Sequence, residues 1–311
     1  EYGPDLVSPI PVTKVAIPDF KMGETEVTQA QFEYVMGNSS ITPYFYCGHG
    51  GATDVANRPT SNLPVEYVNW YAAIAYCNKL SLLEGLEPCY SVKVGGVEVD
   101  WENININSAP LNVSSTNSYW NDATCDFSKN GYRLPTGWEF EYAARGGMQK
   151  AHHRIAGSYY GDIINCTPGD NQSEARDSLC LVAWFGNNNN DAAAEYSCGA
   201  VSPFHGTKPV KTKRANVFGL YDMAGNLDEW CYEWSDRLGD DGVSNHPFRT
   251  PIGIDTQPTS SSVKRILKGG SWFHLWSVAS NKCSYRVGQR SDATPHYYAS
   301  PYRGFRVVMS K

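Results

Sequence analysis

Three segments of the chain carry a helical rhythm of apolar positions. Thr28 precedes Phe32, Val35 and Met36, spaced for one helix face, and Gln31 stands three residues after Thr28 as in a capping box. Gly37 and Asn38 stop this helix. A second starts near Asn69, sets Trp70, Ala73, Ile74, Cys77 and Leu80 on one face, and ends before Gly85, with Pro88 just beyond. A third, shorter helix follows Leu134-Pro135, where Thr136 and Glu139 form another capping box and Gly146-Gly147 end it. Residues 13–27 carry β-branched residues with partial alternation, which predicts one or two short strands.

Elsewhere the periodicity fades. Residues 91–131 mix short strand-like runs with Asn and Ser, and residues 148–215 are rich in Asn, Gly and Asp, including the run Asn187 to Asn190. That run lacks carboxylates at calcium-loop spacing and reads as a solvated turn. There is no internal repeat and no linker of uniform composition. The expectation is one domain over residues 1–311 with long ordered loops.

Composition narrows the function. A formal charge of −6 disfavours nucleic acid, because phosphate recognition needs clustered Lys and Arg. No run of eighteen apolar residues spans a membrane. The chain opens EYGPDLVSPIPV, the expectation for a mature start whose export signal or lipid anchor has been removed. Any membrane association would then run only through that lost anchor. With 20 Tyr, 11 Phe and 9 Trp, the chain is rich in side chains that suit binding surfaces and also pin irregular backbone. Nine cysteines occur without a CxxC pair, so zinc ribbons and thioredoxin-like motifs are unsupported, and the redox compartment stays open.

Five segments, in order, carry a family resemblance: GETEVTQAQFEYVMG from Gly23, PVEYVNWYAAIAYCNKLS from Pro64, GYRLPTGWEFEYAARGG from Gly131, NVFGLYDMAGNLDEW from Asn216, and KGGSW…GFRVV from Lys268. Together they resemble the formylglycine-generating enzyme (sulfatase-modifying) family. The resemblance implies an α+β, C-type-lectin-like fold with small antiparallel sheets, two main helices and long ordered loops. Gly219 and Gly225 stand where backbone should turn sharply. Trp230 and Trp234 are candidates to bury together, and Arg133, Arg145 and Arg306 each need a partner if buried. Asn226 and Glu229 match side chains that bind calcium in catalytic relatives. The same pair also suits a capping and hydrogen-bonding role, and both readings stand. Asp228 replaces a residue usually aromatic in the family, where it would add a ligand or distort the loop.

The resemblance stops at the chemistry. Catalytic relatives hold copper with two cysteines five apart after the GGS segment, since soft thiolates suit Cu(I). Aligned on Gly269-Gly270-Ser271, this chain has His274 and Ala279 there, and Cys283 has no cysteine partner in the segment. No cofactor is then required for catalysis, and calcium would be structural. Between the framework residues Gly269, Gly270, Ser271, Trp272, Arg290, Pro295, Gly304, Phe305 and Arg306 lie blocks without any period. Their candidate ligand-binding residues are Phe273, His274, Leu275, Ser277, Val278, Ser291, Asp292, Ala293, Thr294, His296, Tyr297, Tyr298, Ala299, Pro301 and Tyr302.

Mutating the template adenines of an AAC codon never yields Lys, Glu, Gln, Met or Trp, and residues 291–303 contain none of these. In this the chain resembles the variable proteins of diversity-generating retroelements. The implied molecule is a non-catalytic, surface-displayed lipoprotein whose region 269–308 binds a protein or other macromolecular ligand. The alternative is an enzyme of the same fold with another site, such as His274 with Cys283.

Overall fold

A computed structural model describes residues 16–37, 62–108, 110–111, 116–146, 173–186, 206–235, 264–274, 285, 291–296 and 300–311. The elements follow in chain order: β1 (Phe20–Met22), α1 (Gln29–Met36), α2 (Trp70–Leu83), β2 (Tyr90–Ser91), β3 (Lys93–Val94), β4 (Val97–Glu98), α3 (Ser118–Asn121) and β5 (Thr124–Cys125). After these come β6 (Tyr132–Arg133), α4 (Gly137–Ala144), α5 (Ser173–Val182), β7 (Asp228–Trp234), β8 (Arg265–Lys268), β9 (Ser291–Ala293), β10 (Arg303–Gly304) and β11 (Val308–Ser310).

The helix starts lie where their side chains dictate. Thr28 accepts from Gln31 N–H, and Gln31 reaches back to the Thr28 N–H, closing the expected box. Thr136 and Glu139 do the same for α4, and the Asn69 side chain caps α2. Helix α2 differs from the one-face expectation: residues from Trp70 to Asn78 are buried all round, as for a helix enclosed on every side. Helix α5 lies within a stretch whose composition reads as irregular.

A four-stranded sheet runs β10-β7-β8-β9, and a three-stranded one runs β1-β11-β6. Among the strands of the described residues the pairings are antiparallel, as expected, except β10 with β7, which is parallel. Strand β7 is buried on both faces. Trp230 and Tyr232 join the cluster built on α1 and α2, while Cys231 joins a second cluster with Phe140, Phe185 and Tyr285. A strand's alternation sends neighbouring side chains to opposite sides, so this sheet stands between two apolar layers.

Polar side chains tie the layers. The Trp70 indole donates to Cys231 O at 3.0 Å, and the Trp230 indole donates to Val68 O at 2.8 Å. The Arg265 guanidinium lies 3.8 Å from the Trp70 ring centre and 3.3 Å from that of Trp234, within cation–π range. Each arginine flagged in the sequence has its carboxylate: Arg133 pairs bidentately with Glu139, Arg145 with Glu141, and Arg306 with Glu229. Gly219 and Gly225 have φ of 76° and 74°. A Cβ at Gly225 would also meet Trp184 O at 2.3 Å, so no other residue fits there.

Arg306 and Glu229 are both inaccessible to solvent. Replacing Arg306 with Met, or Glu229 with Gln, should each destabilise the protein by about 3–5 kcal/mol, because each leaves a buried group without its partner. Denaturant unfolding would measure it; losses below about 1 kcal/mol would mean that the pair is incidental.

Candidate functional site

The site is built on the segment that leaves β8. Gly269 O accepts from Gly225 N–H at 3.0 Å, and the Trp272 N–H donates to Asn226 O at 2.9 Å. The Trp272 indole donates to Pro301 O at 3.0 Å, which joins this turn to the last stretch of chain. Trp272 is thereby buried. The next side chain, Phe273, is 53% exposed and stacks on Tyr302, their ring centres 5.4 Å apart and their planes 18° apart. Two residues far apart in sequence thus meet in one aromatic pair.

His274 follows on the same turn. Its Nδ1 accepts from Ser271 N–H at 3.3 Å, and its carbonyl accepts from the Tyr285 hydroxyl at 2.8 Å and Gly186 N–H at 2.9 Å. Tyr285 is fully buried against Phe185. Apart from the His274 ring, the groups that hold the turn, Tyr285 and Gly186, are themselves buried.

Strand β10 supports the other half. Asp228 N–H donates to Tyr302 O at 2.8 Å. A Cβ at Gly304 would meet Val65 O at 2.5 Å and a Leu227 methyl at 2.6 Å, so this position is fixed as glycine by close approach. Phe305 packs on Phe32 and Tyr76 in the core.

Asp228 is the first residue of β7. Its carboxylate is buried, and no protein hydrogen bond reaches Oδ1. Burial pushes its pKa up, while His274, Arg303 and the Gly270 N–H pull it down. Asp228 and Arg303 are register partners in the parallel β7–β10 pair. The backbone under the site thus sets an acidic and a basic residue side by side, a neighbourhood hidden in the sequence because Arg303 lies within residues 291–303, whose composition suits the variable blocks.

The remaining candidates divide. Ser291, Thr294 and His296 are half-buried, and His296 Nδ1 lies 3.2 Å from Thr116 Oγ1, a partner that sequence reasoning missed. Two candidates need correction. Ala293 pairs with Arg265 in the sheet and joins the main core, and Pro301 is buried beneath Trp272. Neither can present its side chain to a ligand. Asp292 is likewise committed: it accepts from Ser235 Oγ at 2.8 Å and pairs with Lys264 at 3.0 Å, so it anchors β9. Leu275, Ser277, Val278, Tyr297, Tyr298 and Ala299 lie outside the described residues, as do Ala279 and Cys283.

The two side chains matched to calcium ligands are buried and engaged. Asn226 Oδ1 accepts from Lys208 N–H at 2.9 Å, and its amide donates to Glu26 Oε2 at 2.8 Å and Lys208 O at 3.1 Å. Both Glu229 oxygens accept from Arg306 at 2.7 Å. A divalent cation would have to displace a guanidinium, so this donor set does not fit calcium, whereas the hydrogen-bonding role describes what both side chains do. Copper fits no better, because an imidazole already accepting a hydrogen bond stands at position 274 in place of a thiolate.

The geometry agrees with known relatives. The Chaperone protein LppX of Paenibacillus barcinonensis is 33% identical over 300 residues, 96% of this chain and 82% of that protein. A formylglycine-generating enzyme of Streptomyces coelicolor is 36% identical over 187 residues, covering 60% of this chain but only 49% of the enzyme. Among solved structures, Treponema denticola variable protein 1 has a TM-score of 0.63 at 32% identity, over 94% of this chain and 84% of that one. The family model described as the sulfatase-modifying factor enzyme 1-like domain matches residues 2–311, and the chain belongs to that family.

Proposed function

We propose that this chain is a non-catalytic binding protein, which presents its C-terminal region, residues 269–308, to a protein or other macromolecular ligand. The observation that carries the reading is the contrast between neighbours. Phe273 is exposed and stacked on the half-buried Tyr302, while Trp272, Gly304, Phe305 and Arg306 beside them are buried. Side chains at 273 and 302 thus project from a frame that does not depend on them. Exposed aromatic area costs a protein solubility unless a partner covers it, and rigid rings supply contact area at low entropic cost.

The absence of thiolates from positions 274 and 279 argues against the family's copper-dependent oxidation. Relatives matched over most of their length include a chaperone protein and a variable protein, which favours binding over turnover. Diversification by a retroelement accounts for the residue types between 291 and 303. Display on the cell surface through a lipid anchor accords with a molecule selected for varied recognition. The ligand surface of this variant includes Phe273, His274, Thr294, His296 and Tyr302. The reading extends it to Leu275, Ser277, Val278, Tyr297, Tyr298 and Ala299.

Three measurements test this. Replacing Phe273 or Tyr302 with Ala should cost about 1 kcal/mol or less, the worth of an exposed stacked pair, whereas Trp272→Ala or Phe305→Ala should cost about 3–5 kcal/mol. Equal, large losses at all four positions would make the aromatic pair part of the core. Incubation with copper and a cysteine-containing sulfatase peptide should give no formylglycine by mass spectrometry; turnover above a protein-free control would overturn the non-catalytic assignment. Sequencing the locus should find a near-copy of the last coding stretch beside a reverse transcriptase gene. A locus without either would remove the diversification.

A further inference from the structure

A second surface lies on the other sheet. Strand β1 ends the three-stranded sheet and pairs with β11 through Phe20↔Ser310, Lys21↔Met309 and Met22↔Val308. The Lys311 N–H donates to Asp19 O at 3.2 Å, and the Gly23 N–H donates to Val307 O at 2.8 Å. Bonded pairs alternate along an antiparallel ladder. Asp19, Lys21 and Gly23 therefore turn their backbone groups towards β11, while those of Phe20 and Met22 point away from it. Among the described residues nothing bonds these outward groups. A cleft of about 470 Å³ borders the same strand, walled by Ile17, Phe20, Met22, Tyr142, Phe218 and Leu220. Just past β1 the Tyr221 N–H donates to Glu24 O at 2.9 Å, so the segment carrying Phe218 and Leu220 meets the chain there. Tyr142 stands edge-on to Phe20, ring centres 6.4 Å apart, and stacks on Phe218 at 5.8 Å. Tyr142 and Phe218 are exposed. Lys21 is exposed too, on the face opposite Phe20 and Met22. It has no ion pair among the described residues, whereas Asp19 beside it pairs with Lys311 at 3.8 Å.

We propose that β1 and its cleft form a docking site for an extended segment of a partner protein. The segment adds a strand antiparallel to β1, sets an acidic residue opposite Lys21 and turns the apolar residues on either side of it into the cleft. This does not rest on the binding function above. Unpaired backbone at a sheet edge is met by another strand, whose main-chain bonds give affinity while pockets for alternate side chains give specificity. A side chain opposite Phe20 or Met22 shares their face and so meets the aromatic wall; one opposite Lys21 meets its ammonium. A second copy of this chain fits less well. Two β1 strands paired about a two-fold axis would set two Lys21 ammonium groups against each other, and like charges directly opposite repel.

The probe is the peptide fluorescein-Thr-Val-Glu-Phe-Thr-amide, titrated with the full chain and followed by fluorescence anisotropy. Antiparallel pairing places its Val opposite Met22, its Glu opposite Lys21 and its Phe opposite Phe20. The expected result is saturable binding, about fivefold tighter than that of the same peptide with Lys for Glu, the scale of one cross-strand charge pair. The order of the two peptides should reverse in Lys21→Glu, a change at an exposed side chain. A peptide N-methylated at Val and Phe cannot donate to Met22 O and Phe20 O and should not bind. Absence of saturable binding by the Glu peptide, equal binding by the methylated one, or an unchanged order in Lys21→Glu would each overturn the assignment. So would a dimer in sedimentation that the peptide disperses, because the edge would then belong to a second copy. The peptides compared on the wild-type chain decide the matter even where a variant folds poorly.

Discussion

The buried ion pair of Arg306 with Glu229 holds three parts of the chain in register. The guanidinium gives both Glu229 oxygens a hydrogen bond at 2.7 Å and donates to Tyr221 O at 3.0 Å, Asp222 O at 3.3 Å and Gly23 O at 3.4 Å. Its planar fork thereby joins the end of the chain, the start of β7 and the turn before α1. A charge without solvent is tolerable only when its donors are spent in this way. Glu26, beside the same group, is bonded by Leu227 N–H and the Asn226 amide. Burial, with Asp222 and Glu229 nearby, raises its pKa well above the usual carboxylate range. One guanidinium among several acids leaves little freedom to rearrange.

Such bonds stand in for regular secondary structure. Several strands here are only two residues long, too short to satisfy their own backbone. Side chains make up the difference: the Asn78 amide bonds Tyr90 in both directions, Asn216 bonds Ala143, Phe218 and Leu220, and two indoles tie α2 and Val68 just before it to β7. Buried backbone groups must find partners somewhere. In this fold they find them in Asn, Glu, Trp and Arg, which explains why a loop-rich chain can hold an aromatic surface still.

Much of this was legible. Capping boxes are local, so Thr28 with Gln31 and Thr136 with Glu139 announced two helices correctly. The need of a buried arginine for an anion is equally general, and three carboxylates answered it. Helix α5 was hidden because Asn, Gly and Asp dominate its neighbourhood, and Leu179 and Val182 become informative only once Phe140 and Phe185 pack against them. Ala293 and Pro301 looked like display residues because a stretch without period gives no inward or outward sense. Strand pairing with Arg265 and the Trp272 indole decides theirs. The charge beneath the site stayed unseen because Asp228 and Arg303 meet only through a parallel ladder between distant segments.

The central claim is that a fixed frame carries replaceable side chains. Simultaneous randomisation of Phe273, Thr294 and Tyr302 together with Trp272, Gly304 and Arg306, followed by selection for protease-resistant folded protein and deep sequencing, tests it most directly. The account predicts that the first three positions keep nearly the input mixture of residues while the last three return almost wholly to Trp, Gly and Arg. Equal restriction at all six positions would contradict it.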